Sequence, residues 1–299
     1  MLSYLFGRLV RMNDGVYHAR TKPTVSATLA MLDATAVAGQ AREAAQALIA
    51  ELDPAGHPAR IMDVAFRLSA YVLAGLLGLP VVVRPDIAAR AGELVGALAP
   101  GATPSAIERG GAAASGLLAA MRTLPRYRSA IPDQVANAVG FFSQSYEATA
   151  GLIGNTLVTL ARHLDVRERV AGEPAALASV VGEVARYDSP VQNTRRWVAA
   201  AGVVAGQAMA EGDTVLVVLA AANRDPAANA NPERFDPGRR ERRVFTFGAG
   251  AHACPGETLA VTIATAGVAA LLAAGVLPER VAAAPAYRPS LNTRVPLLG

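Results

Sequence analysis

Residues 245–256 read Phe-Thr-Phe-Gly-Ala-Gly-Ala-His-Ala-Cys-Pro-Gly and contain the only cysteine of the chain. Glycines at 248, 250 and 256 allow the backbone around Cys254 to turn tightly and to aim N–H groups at the sulfur. Pro255 and Gly256 precede a long uncharged segment, which is typical of a helix start. The positive end of that helix would favour a thiolate over a thiol. The stretch therefore predicts a soft anionic ligand held in a tight turn.

A thiolate in this setting suits an iron porphyrin. The alternative is that a lone cysteine is only a small buried apolar side chain, which is the commoner case. The fixed offsets favour the ligand, because the pattern resembles the heme-binding loop of the cytochrome P450 family: Phe247, Gly248, Gly250, His252, Cys254 and Gly256. The resemblance implies that Cys254 is the metal ligand of heme b. It also implies that Phe247 shields the sulfur and that His252 binds a heme propionate.

Composition sets the class of protein. The chain has 299 residues, of which 52% are hydrophobic but only 5% aromatic, so one large core built from Ala, Leu and Val is expected. The net charge of +4 is small and spread along the chain, and it gives no reason to expect nucleic acid as a partner. A single cysteine excludes an internal disulfide and fits a reducing, cytoplasmic setting.

The periodicity predicts a mainly α fold with a minor β component, in one domain covering residues 1–299. The predicted helices lie at 40–52, 61–79, 132–164 and 175–187, with two more in 84–124 separated by Pro100-Gly101 and Pro104. A strand is predicted at 214–219, irregular loop at 223–243, and short strands and turns from 285 onward. The uncharged residues 258–278 are interpreted as a buried helix and not as a membrane span.

Glu183 and Arg186 lie three residues apart on one predicted helical face. An exposed ion pair of this kind is worth little. Their order before Arg234 and the cysteine loop resembles the Glu–Arg–Arg triad of the P450 family, with Arg234 as the third member. We interpret this network as structural.

Three more cationic side chains match positions that bind heme propionates in the family. Arg196 follows a Ser-Pro turn, and Arg195 beside it is the alternative, since strand alternation points the two to opposite faces. His18 and Lys22 lie one helical turn apart and resemble the family's His-x-x-x-Arg. Lysine keeps the charge and loses the bidentate fork. Pro23 is expected to disturb a helix at this point.

Residues 143–155 resemble the oxygen-activating helix of the family, in which an acid followed by a threonine relays protons. Glu147 matches the acid, but Ala148 occupies the threonine position and Thr149 comes one residue later. One residue along a helix is a rotation of about 100°, so Thr149 would serve only if the helix is rewound or water bridges the gap. Glu147, Thr149 and the bulky neighbour Tyr146 are the predicted catalytic residues.

His18 falls where a family member is already well into its fold. We therefore expect the family's first helices and much of its first sheet to be missing. A homodimer or a partner chain is expected to cover the apolar surface on that side.

The resemblance implies a monooxygenase that takes electrons from a ferredoxin-type donor and oxidises a small molecule, for example an intermediate of secondary metabolism. Two alternatives stay open. The first is a heme-thiolate enzyme that works without oxygen insertion, by peroxide-driven oxidation, cyclisation, dehydration or rearrangement. The second is a non-catalytic heme-binding partner subunit. Neither a membrane nor nucleic acid is an expected partner.

Overall fold

The computed structural model describes residues 1–99, 101–281 and 285–299. It is 64% helix and 6% strand, which confirms a mainly helical single domain with a minor β component. The strands are β1 (Thr194–Trp197), β2 (Gly202–Val204), β3 (Gln207–Met209) and β4 (Thr214–Val217). The helices are α1 (Leu2–Phe6), α2 (Gly15–Ala30), α3 (Ala34–Leu52), α4 (Ile61–Leu77), α5 (Arg84–Gly96), α6 (Pro104–Thr123), α7 (Pro125–Arg128), α8 (Pro132–Arg162), α9 (Leu164–Gly172), α10 (Leu177–Tyr187), α11 (Leu219–Asn223), α12 (Glu257–Ala273) and α13 (Pro278–Val281).

The predicted helices are confirmed, and local signals explain their ends. The Asp33 carboxylate accepts the Ala36 N–H at 2.8 Å and caps the start of α3. Thr103 caps α6 in the same way. Gly78 ends α4 with a φ of 94°, a conformation that glycine adopts without strain. The predicted break at Pro100 lies outside the described residues.

Helix α8 is the centre of the core and packs against α4, α5, α6, α10 and α12. Glycines let neighbouring side chains pack closely against the helices of this core. A Cβ on Gly154 of α8 would lie 2.5 Å from Cγ of Pro296, and a Cβ on Gly267 of α12 would lie 2.6 Å from a methyl carbon of Leu68. The residues that fill the core are mostly Ala, Leu and Val, as the composition predicts.

The uncharged segment after the cysteine loop forms α12, and its residues Ile263, Val268 and Leu271 are buried. This helix packs against α3 and α8, which confirms the interpretation as a core helix. Among the helices that the structure describes, none combines the length and hydrophobicity needed to cross a membrane.

The β component is small. Strand β1 pairs antiparallel with β4, and β2 pairs with β3 in a hairpin. The predicted strand at 214–219 is shorter than expected, because α11 begins at Leu219. The C-terminal tail crosses back over this region, with isolated bridges between Val191 and Thr293 and between Tyr287 and Pro296.

Candidate functional site

The cysteine loop is built from two 3-10 turns, Phe245–Phe247 and Gly250–His252. Between them Gly248 has a φ of 72°, and Gly250 has a φ of 65°, both in the region that glycine occupies freely. The loop closes where the N–H of Cys254 donates to the carbonyl of Phe247 at 2.7 Å. The glycines therefore produce the tight turn that the sequence predicts.

The sulfur of Cys254 is solvent-exposed on one side and accepts the N–H of Gly256 at 3.4 Å. Helix α12 begins directly afterwards, as predicted. Partial burial among protein atoms nevertheless raises the pKa of the thiol above its ordinary value, and this outweighs the opposing effects of the Gly256 N–H and the Lys22 charge. This direction is opposite to the expected preference for a thiolate, and desolvation is its largest cause.

A buried amide that the sequence analysis missed anchors the start of the loop. Asn223, at the end of α11, is fully buried. Its Oδ1 accepts the N–H of Phe245 at 2.6 Å, and its Nδ2 donates to the hydroxyls of Ser189 at 2.7 Å and of Thr246 at 2.9 Å. One side chain thus joins α11, the turn after α10 and the cysteine loop. No local pattern marks Asn223, since all three partners are distant in sequence.

Helix α2 brings His18 and Lys22 to the cysteine loop. The rings of His18 and His252 lie 4.3 Å apart between centroids. Nε2 of His252 makes a 2.7 Å hydrogen bond with the Asp14 carboxylate, a partner that the sequence analysis missed. Burial lowers the pKa of His18, with smaller contributions in the same direction from the positive charges of His252 and Lys22.

Lys22 is half-buried, and its Nζ donates to the carbonyl of Ala253 at 2.6 Å. The helix runs unbroken past Pro23, so the expected disturbance is absent from α2. The ring of Pro23 is exposed and meets solvent.

Arg196 lies on β1 and is exposed, with its guanidinium donating to the Thr194 hydroxyl at 2.9 Å and to the Arg195 carbonyl at 2.7 Å. The pKa of Asp14 is lowered, and the hydrogen bond with His252 is the largest cause. The charge of Arg196 adds to this lowering. Arg196 therefore lies within electrostatic range of the His18–His252 cluster.

The predicted catalytic side chains of α8 are held by protein contacts. Glu147 pairs with Arg288 at 3.6 Å and accepts the Thr293 hydroxyl at 3.2 Å. The ring of Tyr146 stacks on Phe66 with centroids 5.2 Å apart, and burial raises the pKa of its phenol.

Thr149 is 1% exposed, and α8 is α-helical from Pro132 to Arg162. The helix is therefore not rewound at this point, and Thr149 stays one helical step away from the half-buried Ala148. Thr149 was expected to replace the missing hydroxyl only if the helix is rewound or if water bridges the gap. The first of these conditions is not met.

The predicted Glu–Arg–Arg network forms around Glu183 and Arg186, but its third position is not taken by the predicted arginine. Glu183 and Arg186 are fully buried, with 2.7 Å between carboxylate and guanidinium. The Glu183 carboxylate lies 3.4 Å from the guanidinium of Arg239 and 3.0 Å from that of Arg242. These two arginines take the third position, so the assignment of Arg234 is wrong. The backbone carbonyl of Arg234 accepts from Arg186 at 3.1 Å, which places that residue in the network by its main chain only.

Comparison with known proteins agrees with this geometry. Residues 130–274 match the family model described as Cytochrome P450. The fold superposes on the crystal structure of CalO2 with a TM-score of 0.82 and 26% identity, covering 100% of this chain and 80% of that chain. The chain has the fold of a cytochrome P450 and resembles the family in sequence.

Among the curated P450 relatives, Vitamin D(3) 25-hydroxylase of Pseudonocardia autotrophica is 30% identical over 259 residues, which are 81% of this chain and 64% of that enzyme. The 6-deoxyerythronolide B hydroxylase of Saccharopolyspora erythraea is 40% identical over 115 residues, which are 38% of this chain and 28% of that enzyme. Across the curated relatives compared, the chain spans between 28% and 64% of their length.

Cytochromes P450 bind heme b, and the residues of this site fit that group. The site has one sulfur ligand, Cys254. The described residues hold no group of three or more His, Cys, Asp or Glu side chains that suits a metal. His18 is 7% exposed, and its Nε2 has no hydrogen-bond partner among the described residues. A buried ring nitrogen without a partner, beside a lysine and a second histidine, fits an anionic group such as a propionate.

Proposed function

We propose that this chain is a cytochrome P450, a heme-thiolate oxidoreductase that oxidises a small organic molecule with dioxygen, using electrons from a ferredoxin-type protein. The observation that carries the proposal is Cys254, whose sulfur is presented on a glycine-built loop with a backbone N–H aimed at it. A bound iron would itself deprotonate the thiol, so the raised pKa of the free thiol does not oppose ligation.

The residues of the cysteine loop and the cations beside it each have a proposed task. Cys254 would hold the heme iron through its sulfur, and Phe247, Gly248, Gly250 and Gly256 shape the loop around it. The cations His18, Lys22, Arg196 and His252 surround the position proposed for the propionates. A heme with a thiolate ligand supplies the activation of dioxygen, and the protein supplies orientation and protons.

The proposed substrate class follows from the relatives. Two of them are named as hydroxylases, of vitamin D(3) and of 6-deoxyerythronolide B. We propose a small, largely apolar product of secondary metabolism as substrate, with hydroxylation as the reaction. Residues 1–299 are proposed to act as one heme domain. The free thiol of Cys254 fits work in the reducing cytoplasm.

The test is turnover by the heme-loaded chain with a bacterial ferredoxin, its reductase and reduced nicotinamide cofactor, using 6-deoxyerythronolide B and vitamin D(3) as probes. Hydroxylated product that requires both ferredoxin and dioxygen supports the monooxygenase. Product formed at the same rate from hydrogen peroxide alone, or without any oxidant, contradicts it.

The second candidate, a heme-thiolate reaction without oxygen insertion, is favoured by the α8 geometry. Ala148 has no hydroxyl, Thr149 is buried in an unbroken helix, and Glu147 is paired with Arg288. These side chains would therefore supply protons poorly to a reaction at a bound heme. Ala148→Thr separates the two candidates. If the reaction is oxygen insertion limited by protons, the variant converts reductant to product more efficiently and releases less hydrogen peroxide. An oxidant-independent reaction is unaffected by the added hydroxyl.

A further inference from the structure

A cavity of about 250 Å³ lies between helices α2 and α8. Its two long walls are one face of α2, from Arg20 to Thr28, and one face of α8, from Asp133 to Phe141. Arg126 and Tyr127 of α7 also line it. None of the side chains assigned to the proposed heme site lines this cavity, so the two are separate.

Two arginines on the cavity wall have no acidic partner. The guanidinium of Arg126 donates to the Thr28 hydroxyl at 3.0 Å, and Arg20 is exposed. Within the residues that the structure describes, neither guanidinium pairs with a carboxylate. Asp133 is the one acidic side chain of the described wall, and it lies 3.5 Å from Arg8, which does not line the cavity. The lining therefore carries an excess of positive charge.

The bottom of the cavity is apolar. Val25, Tyr127 and Ala138 are at most 8% exposed, whereas Arg20 and Arg126 are exposed and therefore lie at the mouth. This arrangement fits a ligand with a short apolar body and an anionic end. A guanidinium matches a carboxylate through two parallel hydrogen bonds, which makes a carboxylate the anion that the mouth suits.

We propose that this cavity binds a small aliphatic carboxylate, with the carboxylate held at the mouth by Arg126 in the positive field of Arg20, and with the alkyl chain on the apolar bottom. The proposal goes beyond the heme function and does not depend on it. At about 30 Å³ for each water-sized group, a cavity of 250 Å³ holds about eight such groups, the number of heavy atoms in hexanoate. A ligand of this size binds with a Kd on the order of 1 mM.

The experiment titrates isotope-labelled hexanoate with the full chain and follows binding by nuclear magnetic resonance, with and without bound heme. We expect saturable binding with the same Kd in both forms, because the cavity is separate from the heme site. Hexanol, which has the same chain and no charge, should bind at least about tenfold more weakly. Hexanoate binding only to the heme-free chain would show that it occupies the heme site, and it would overturn the proposal.

Two pairs of variants locate the site. Arg126→Met should raise the Kd about tenfold through the loss of one charge-assisted contact, whereas Arg128→Met, at an exposed position of the same helix that does not line the cavity, should leave it unchanged. Thr24→Phe fills part of the cavity from an exposed wall position and should abolish binding, whereas Ala27→Phe, exposed on α2 outside the cavity, should not.

Three results would overturn the proposal. The first is no saturable binding of hexanoate in the millimolar range. The second is an unchanged Kd in both Arg126→Met and Thr24→Phe, which would place the ligand elsewhere. The third is an equal effect of Arg126→Met and Arg128→Met, or equal binding of hexanol and hexanoate, since either would show that no specific contact with the carboxylate is made.

Discussion

Replacing Glu183 with glutamine tests the buried charge network behind the cysteine loop. Glu183 and Arg186 have no solvent exposure, and the side chains of Arg239 and Arg242 are 8% and 19% exposed. The amide keeps the shape and one acceptor but removes the only negative charge shared by three guanidiniums. Because solvent does not reach the site, the loss is that of a broken buried ion pair, about 4 kcal/mol.

The assay is thermal unfolding of the heme-loaded chain followed by circular dichroism. For 299 residues the entropy of unfolding is about 0.6 kcal/mol/K, so a loss of about 4 kcal/mol lowers Tm by about 6 °C. The control is Glu233→Gln, which makes the same chemical change in an exposed pair with Arg224, where Glu233 is 78% exposed. This variant should differ from wild type by less than about 1 kcal/mol. Equal Tm values for the two variants would refute the reasoning.

Two more predictions concern the loop and its contacts. Asn223→Ala removes the acceptor of the half-buried Phe245 N–H and the donor to two buried hydroxyls. We expect a loss of about 3 kcal/mol in urea denaturation and a lower heme content. Normal heme retention would show that the amide does not hold the loop. Asp14→Asn removes the negative charge that pairs with His252 and keeps an acceptor oxygen. The pKa of Asp14 is lowered in the folded state, so its contribution exists above the ordinary pKa of an aspartate and is lost as the pH falls through the lowered value. Because the carboxylate is 81% exposed, the stability difference from wild type at neutral pH should be below about 1 kcal/mol. It should shrink towards zero in acid, and a difference that grows as the pH falls would contradict the assignment.

Much of the fold was predictable, because its helices carry local signals. Prolines mark the starts of α6 and α8, and the uncharged run after the cysteine loop contains all of α12 except its first residue. The cysteine loop was predictable in shape, since only glycine adopts the backbone angles at 248 and 250 freely.

The contacts between distant parts of the chain were not predictable from one sequence. Five arginines lie between 234 and 243, and which of them reach Glu183 depends on how the loop folds over α10. The bond between Asp14 and His252 spans 238 residues, and Asp14 by itself looks like a turn residue. The sign of the Cys254 pKa shift depends on how many atoms surround the sulfur, which spacing does not reveal.

The central claim is a bond between iron and the sulfur of Cys254. Its most direct test is the absorption spectrum of the reduced, carbon-monoxide-bound protein, recorded for wild type and for Cys254→Ser at equal protein concentration. We expect wild type to show the thiolate-bound band, and the serine variant to lose that band together with most of its heme. Unchanged bands and unchanged heme content in the serine variant would contradict the account.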